Sequence, residues 1–174
     1  MKLKSIVIGF IFLGFISCKK EVLATEKQEI DTSRVAVKVY NYKELKPLLE
    51  QKGDKIYVVN FWATWCAPCV KELPAFEKLN RVYASKGVEI LLVSLDFPKQ
   101  INKRVIPFIA KKKLQSKVVL LDNGKDDSWF KSIDSSWSGA IPATLIYNKN
   151  KRKLYEQSFD FESLEAELQL FLRD

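Results

Sequence analysis

The chain has 174 residues, and a hydrophobic fraction of 47% with 12% aromatic residues is enough to build the core of one domain. Three cysteines and no histidine are present, which excludes a Ser/His/Asp triad, a Cys/His protease pair and a histidine-ligated metal. The net charge of +8 is spread along the chain. Its basic clusters, 111–113 and 149–153, lack the arginine and aromatic interleaving of a nucleic-acid surface, so we expect no nucleic-acid partner.

The N-terminal segment has the layout of a secretory signal peptide. Lys2 and Lys4 precede an apolar run over 6–16, which is too short for a membrane-spanning helix of about 20 residues. Ser17 and Cys18 then resemble the lipobox of bacterial lipoproteins, in which the cysteine becomes the lipidated first residue. We therefore expect a signal peptide at 1–17 and a lipid anchor at Cys18, on the periplasmic side of the cell envelope. A plain signal peptide and an uncleaved anchor are the alternatives.

Residues 18–36 are predicted to form a flexible tether, and residues 37–174 a single domain. The tether is polar as far as Arg34, and its apolar side chains are too scattered to form a face. The alternation of apolar and polar residues over 35–40 then predicts a strand.

A short helix is predicted to begin after Asn41. Asn41 can cap it, and Glu44, three residues later, completes a capping box. The apolar face of this helix is expected to consist of Leu45, Leu48 and Leu49.

The next segments predict a β-α-β unit. Residues 56–62 form a near-continuous apolar run, which is typical of a central strand covered on both faces. An amphipathic helix follows and ends near Gly87, which can take the left-handed cap. Its predicted stripe is Val70, Leu73, Phe76, Leu79 and Val82. Residues 88–95 form a second buried strand, so the two strands should be parallel and the class α/β.

The remainder of the chain adds elements to this sheet. Residues 99–114 predict a basic helical segment that is interrupted near Pro107. Further strands are expected at 118–121, 142–147 and 154–159, the last two joined by a turn at 148–150. Helices are expected at 129–133 and from Asp160, the latter with Leu164, Leu168, Phe171 and Leu172 on one face.

The two remaining cysteines form a C-A-P-C motif that predicts redox chemistry. Cys66 follows a buried strand and precedes a helix, where unpaired backbone N–H groups and the helix dipole stabilise a thiolate. Cys69, one turn further on, is placed to attack a mixed disulfide at Cys66. Pro68 suits the first turn because it needs no hydrogen-bond partner there. A zinc half-site would lack two ligands, and a structural staple would close too short a loop to restrict the unfolded chain much.

The motif V-V-N-F-W-A-T-W-C-A-P-C-V-K-E-L-P at 58–74 resembles the active-site signature of the TlpA/ResA-type thiol-disulfide oxidoreductases, in the AhpC/TSA-redoxin-like group of the thioredoxin superfamily. The segment W-S-G-A-I-P-A-T-L-I-Y at 137–147 fits the second signature of that family. The resemblance implies a thioredoxin-like fold, in which a central mixed β-sheet is flanked by helices on both faces. It also implies that Cys66 attacks the substrate and Cys69 resolves the intermediate, while a cis Ile141–Pro142 pair faces the cysteines and presents backbone to the substrate.

The same resemblance raises the question of proton transfer. Asn60 stands where cytosolic thioredoxins carry a buried aspartate, and an amide cannot relay a proton. Glu72 matches an acidic residue of the ResA-like proteins and is the candidate catalytic carboxylate. The alternative is that Glu72 is only a favourable anion in the exposed first turn of the helix.

Four tryptophans surround these segments. Trp62 and Trp65 are expected to form apolar walls of the site, and Trp65 is a candidate substrate contact. For Trp129 and Trp137, packing in the core or a loop is favoured over a position in a substrate groove.

These features predict a monomeric, cofactor-free reductase of protein disulfides. By resemblance, its partners are a disulfide-containing protein, in cytochrome c maturation or disulfide repair, and a membrane thiol donor of the DsbD/CcdA kind. A disulfide oxidase and a non-catalytic binding module remain alternatives. A thiol peroxidase is disfavoured because its P-x-x-x-T-x-x-C setting is absent, and a copper-handling protein because it would need a histidine.

Overall fold

The computed structural model of the chain describes residues 31–33, 35–122, 124 and 128–173. The predicted signal peptide, the lipidation site Cys18 and most of the tether lie outside these residues. The strands are β1 (Lys38–Tyr40), β2 (Ile56–Trp62), β3 (Val88–Ser94), β4 (Lys117–Leu121), β5 (Ala143–Tyr147) and β6 (Arg152–Tyr155). The α-helices are α1 (Tyr42–Leu49), α2 (Ala67–Tyr83), α3 (Ile106–Lys112), α4 (Trp129–Ile133) and α5 (Phe161–Leu172).

In this part of the chain the strands form one mixed sheet in the order β1-β4-β3-β2-β5-β6. The first four of these pair in parallel, whereas β5 and β6 are antiparallel to their neighbours. Every residue of β2 is buried, as its apolar run predicts. The parallel pairing of β2 with β3 across α2 confirms the predicted β-α-β unit.

Helices cover both faces of the sheet, which confirms the predicted layer arrangement. One core contains Val58 and Trp62 of β2 together with buried residues of α2, α3 and α5. The other core contains Val59 and Phe61 with buried residues of α1 and α4. Alternate residues of β2 therefore supply opposite cores, as the period of two in a strand requires. No helix in the described ranges has the length and apolarity needed to cross a membrane.

The predicted stripe of α2 is buried at Leu73, Phe76 and Leu79, but Val70 is only half-buried and the stripe fails at its C-terminal end. Val82 is 38% exposed, and Tyr83 is buried in its place. A spacing of three residues falls short of the 3.6-residue turn, so each step rotates the stripe further from the core face. The prediction for Val82 is therefore wrong. The chain continues as a 3₁₀ turn, Ala84–Lys86, and Gly87 closes it with a left-handed φ of 82°.

A buried carboxylate fastens the middle of α2 to a neighbouring loop. Glu77 accepts hydrogen bonds from the backbone N–H of Gln115 at 2.8 Å and of Ser116 at 3.0 Å. Both donors lie in the loop between α3 and β4. Hydrogen bonds to a charged acceptor are stronger than neutral ones, so this contact fixes α2 against the loop.

The predicted basic helix over 99–114 is built from three kinds of helical turn. A 3₁₀ turn, Pro98–Gln100, leads into a π-helical turn, Ile101–Val105, and then into α3. Pro107 lies in the first turn of α3, where its missing N–H costs little, and the irregular turn precedes it. The helix ends at Lys112, earlier than predicted, because Lys113 takes a left-handed φ of 54°.

Two strand predictions extend too far. The strand expected at 35–40 is confined to β1, because the Val35 N–H bonds back to the Thr32 carbonyl in a turn. The strand expected at 154–159 is instead β6, which starts earlier and pairs with β5 until Tyr155 meets Thr144. Beyond that point, β5 has almost no residues left to pair with, and the chain turns towards α2.

Candidate active site

Cys66 and Cys69 are joined by a disulfide of 1.98 Å at the start of α2. Cys66 is the N-cap residue of the helix, and its Sγ lies 3.3 Å from the backbone nitrogen of Cys69. Cys66 retains 6% exposure, whereas Cys69 is fully buried. The helix terminus therefore directs a backbone N–H at the sulfur that is more accessible to solvent, which favours a thiolate there in the reduced protein.

The predicted Ile141–Pro142 pair lies beside this disulfide. Its peptide bond is cis, and the Ile141 carbonyl oxygen is 3.8 Å from Cys66 Sγ. Both residues are half-buried and directly precede β5. The preceding loop is held by the indole of Trp137, which donates a 2.9 Å hydrogen bond to the Ala140 carbonyl. Part of the surface of this pair therefore remains accessible next to Cys66.

Glu72 is buried, so the interpretation of an exposed first-turn anion is wrong. Only 3% of its surface is exposed. Its Oε1 accepts a 2.8 Å hydrogen bond from the side-chain amide of Asn60, on β2. Its Oε2 accepts hydrogen bonds from the Phe159 backbone N–H at 2.9 Å and from the Ser158 hydroxyl at 3.2 Å. The carboxylate thus links α2, the central strand and the loop before α5.

Burial raises the pKa of Glu72 above its ordinary value, and the hydrogen bonds from Phe159, Asn60 and Ser158 act in the opposite direction. Glu72 and Ser158 also line a groove of about 450 Å³ between α2 and the start of α5. The hydroxyl of Ser158, an exposed residue, thus connects the buried carboxyl to a surface that water can reach.

The tryptophans divide between core and surface. Trp62 is fully buried and packs on the ring of Phe108 at 5.3 Å, as a wall of the core. Trp65 is 55% exposed, so it does not form the predicted wall; it projects beside Cys66 instead. Trp137 is fully buried, and Trp129 packs edge-on against it, which confirms core packing for both.

Asp96 is a site residue that the sequence analysis missed. Its carboxylate is 1% exposed and accepts hydrogen bonds from the Thr64 N–H at 2.9 Å and the Thr64 hydroxyl at 2.5 Å. The Ser94 hydroxyl donates a third, at 2.8 Å. Asp96 therefore fixes the loop that carries Trp65 and Cys66. A signal was available, because the carboxyl ends of adjacent parallel strands meet at one edge of a sheet.

A mixed sheet between helical layers, with a C-x-x-C disulfide at a helix N-terminus beside a cis-proline, defines a thioredoxin-like protein. Residues 26–154 match the model of the AhpC/TSA family. The chain belongs to that family.

Relatives of this chain include thiol-disulfide oxidoreductases named ResA. The protein from Bacillus thuringiensis (strain Al Hakam) is 30% identical over 151 residues, which cover 86% of this chain and 78% of that relative. The one from Geobacillus thermodenitrificans (strain NG80-2) is 31% identical over 103 residues. These residues cover 59% of this chain and 53% of that relative, so the chain spans about half of the relative's length. The thioredoxin-related protein from Neisseria meningitidis serogroup B is similar in structure, with a TM-score of 0.59 and 23% identity over 73% of this chain and 91% of that one. This likeness shows the fold.

Proposed function

We propose that this chain is an extracytoplasmic thiol-disulfide oxidoreductase that reduces protein disulfides through Cys66 and Cys69. The observation that carries the proposal is the disulfide at the start of α2, whose more exposed sulfur lies 3.8 Å from the Ile141 carbonyl oxygen. The ResA relatives of this chain are named thiol-disulfide oxidoreductases, which supports the proposal. The disulfide corresponds to the oxidised form, which would be left after one substrate has been reduced.

In the first step, the Cys66 thiolate attacks one sulfur of the substrate disulfide. A Cys66–substrate disulfide forms, the substrate S–S bond breaks, and the other substrate sulfur leaves as a thiolate that takes up a proton. The backbone of Ile141 and Pro142, together with the exposed indole of Trp65, would hold the substrate chain against Cys66. The half-buried Ile141–Pro142 pair leaves room for such a contact.

In the second step, the Cys69 thiol loses its proton and its sulfur attacks Cys66 Sγ. The Cys66–Cys69 disulfide forms as the Cys66–substrate disulfide breaks, and the second substrate sulfur leaves as a thiolate that takes up a proton. Two electrons have then passed from the dithiol to the substrate. Glu72 is three residues beyond Cys69 on α2, which places the two side chains on one side of the helix. We assign Glu72 as the proton acceptor. Its raised pKa suits this role, because a general base works best when its pKa lies near the pH of the reaction.

The dithiol is then restored by an external donor. A membrane thiol protein of the DsbD/CcdA kind would supply the two electrons on the extracytoplasmic side. The N-terminal sequence supports this location, because it predicts a signal peptide at 1–17 and a lipid anchor at Cys18. Substrates would be proteins that need a reduced cysteine pair, such as an apocytochrome c or a misoxidised protein.

Reduction of insulin by the dithiothreitol-treated protein tests the activity. Wild-type protein should reduce insulin, and C66S should not; a folded wild-type protein that reduces no disulfide would overturn the proposal. C69A should accumulate mixed disulfides through Cys66 in cells, and their partners would identify the substrate. A binding module without catalysis would instead keep its cellular role in C66S.

Incorporation of a fatty-acid analogue tests the anchor. The wild-type chain should be labelled and C18A should not. A wild-type chain that is exported without any label would leave the redox proposal intact but remove the lipid anchor from it.

A further inference from the structure

A groove with a basic lining lies beside the cysteine loop. Its volume is about 300 Å³. We call it the basic groove and define it by the residues that line it: Thr64, Arg104, Pro107, Phe108 and Lys111. Thr64 is two residues before Cys66, so the groove borders the segment that carries the proposed nucleophile.

The charge of the groove comes from one helical face. Arg104, Phe108 and Lys111 follow one another at steps of four and three residues, the spacing of neighbours on a helix surface. Residues 98–121 contain seven lysines and arginines and no acidic residue. Within the described part of the chain, neither Arg104 nor Lys111 forms an ion pair. The positive charge is thus not neutralised by the helix itself.

Asp96, a carboxylate next to the groove, does not form an ion pair with these cations either. Asp96 is hydrogen-bonded to Thr64, at the edge of the groove, but it is 1% exposed. Both of its oxygens are occupied by hydrogen bonds from Thr64 and Ser94. The Asp96 carboxylate therefore holds the loop, whereas Arg104 and Lys111 are exposed to solvent.

Two exposed aromatic side chains adjoin the same loop. Trp65 follows Thr64 in the chain and is 55% exposed, and Phe97 follows Asp96 and is 66% exposed. Because Thr64 and Asp96 are hydrogen-bonded, their neighbours belong to one surface region. Exposed aromatic residues beside unpaired cations are typical of a surface that binds a polypeptide rather than a simple ion.

We propose that the basic groove binds an acidic segment of the substrate polypeptide, flanking the disulfide presented to Cys66. The proposal rests on the proposed function and extends it, because it assigns a charge preference to the substrate. Arg104 and Lys111 would pair with glutamate or aspartate side chains of the bound chain, and Phe108 would contact their aliphatic stems.

A pair of disulfide peptides tests this preference. The two peptides share one sequence, except that two glutamates flank the cysteines in one and two glutamines in the other. Fluorescence anisotropy should give a Kd about tenfold lower for the glutamate peptide at low ionic strength, as two solvent-exposed ion pairs provide. The difference should shrink in high salt, and it should be abolished or reversed in R104E/K111E, because the introduced carboxylates repel the glutamate peptide.

A matched variant separates the groove from overall charge. K43E/K52E makes the same change in net charge at two exposed residues, in and just after α1 on the other face of the sheet. It should keep the preference for the glutamate peptide. Equal loss in both variants, or equal Kd values for the two peptides with wild-type protein, would overturn the proposal.

Two further measurements, reduction of a small uncharged disulfide and binding of lipid vesicles, separate this proposal from the proposed function and from a lipid-binding role. In one outcome, the peptides bind with the expected preference but the protein does not reduce the uncharged 2-hydroxyethyl disulfide. This result would support binding of acidic segments in the basic groove and would contradict the proposed function. Phosphatidylglycerol vesicles test a lipid surface. Binding of these vesicles by wild-type protein and not by R104E/K111E, together with equal peptide affinities, would assign the groove to lipid and overturn the proposal.

Discussion

The side-chain amide of Asn60 donates a 2.8 Å hydrogen bond to Oε1 of Glu72, and both residues are buried. A neutral donor stabilises the carboxylate without adding a second charge. The Asn60 Oδ1 atom has no hydrogen-bond partner in the described part of the chain. A rotated amide would therefore present this oxygen to a protonated Glu72. Asparagine can thus serve both protonation states of the carboxyl, which aspartate could not do without a second proton.

Glu72→Gln should slow disulfide reduction at pH 7 by about 100-fold, because it keeps the size of the side chain and removes the proton acceptor. The rate of 2-hydroxyethyl disulfide reduction, measured from pH 5 to 9, checks this. The wild-type profile should show an ionisation that the variant lacks. Glu77→Gln is the matched control, since Glu77 is a second buried carboxylate on α2 and accepts its hydrogen bonds from the loop before β4. Superimposable profiles for Glu72→Gln and wild type would remove Glu72 from the proton transfer.

The stability of the oxidised protein should also depend on Glu72. Its pKa is raised by folding, so between the ordinary value of 4.5 and the higher folded value the native state binds more protons than the unfolded chain. The free energy of unfolding of wild type, relative to Glu72→Gln, should therefore fall as pH rises through this window and then level off. Urea denaturation of both proteins from pH 4 to 8 measures the difference. A difference that grows with pH would mean that hydrogen bonding outweighs burial.

The loss in the free energy of unfolding caused by Asn60→Asp should be about 2 kcal/mol larger at pH 8 than at pH 5. At the higher pH, a second carboxylate faces Glu72 without a donor between them. Urea denaturation at the two pH values measures this change. Asn60→Asp/Glu72→Gln should lose most of the pH dependence, since the amide donor is restored on the other side. An unchanged pH dependence in the double variant would place the cause elsewhere.

Thr64→Val should lower the free energy of unfolding by about 2 kcal/mol, the loss of one hydrogen bond to a buried charged group. Valine keeps the shape of threonine but leaves Oδ1 of Asp96 without the Thr64 hydroxyl. Thermal or urea denaturation gives the value, and Thr64→Ser, which keeps the hydroxyl, should lose much less. A loss in Thr64→Ser as large as that in Thr64→Val would show that the methyl group contributes as much as the hydroxyl, and no loss in Thr64→Val would contradict the prediction.

Most of the fold could be predicted because its signals are local. The apolar runs of β2 and β3 indicate buried strands, and the capping boxes at Asn41 and Asp160 mark where α1 and α5 begin. The end of β6 could not be predicted, because it depends on where β5 starts. The Phe159 N–H bonds to Glu72 and not to a strand, and this partner is 87 residues away in the chain.

The candidate site was predictable where its residues lie within a motif. Cys66, Cys69 and the Ile141–Pro142 pair are found together as expected. The surroundings of Glu72 were not predictable, because the helix period alone does not say that α5 and its preceding loop cover that side of α2. Asp96 was missed because its hydrogen-bond partner, Thr64, follows β2 whereas Asp96 follows β3, and the two residues are far apart in the sequence.

Glu72 and Glu77 fix α2 on two sides, one to the loop before α5 and the other to the loop before β4. The donors at both points include backbone N–H groups, of Phe159 on one side and of Gln115 and Ser116 on the other. Every residue type except proline carries the same backbone N–H, so these hydrogen bonds do not depend on which side chain stands at the three positions. Proline is the exception, because it has no N–H to give. Of all substitutions at these three positions, proline is therefore the one that removes the backbone hydrogen bond itself.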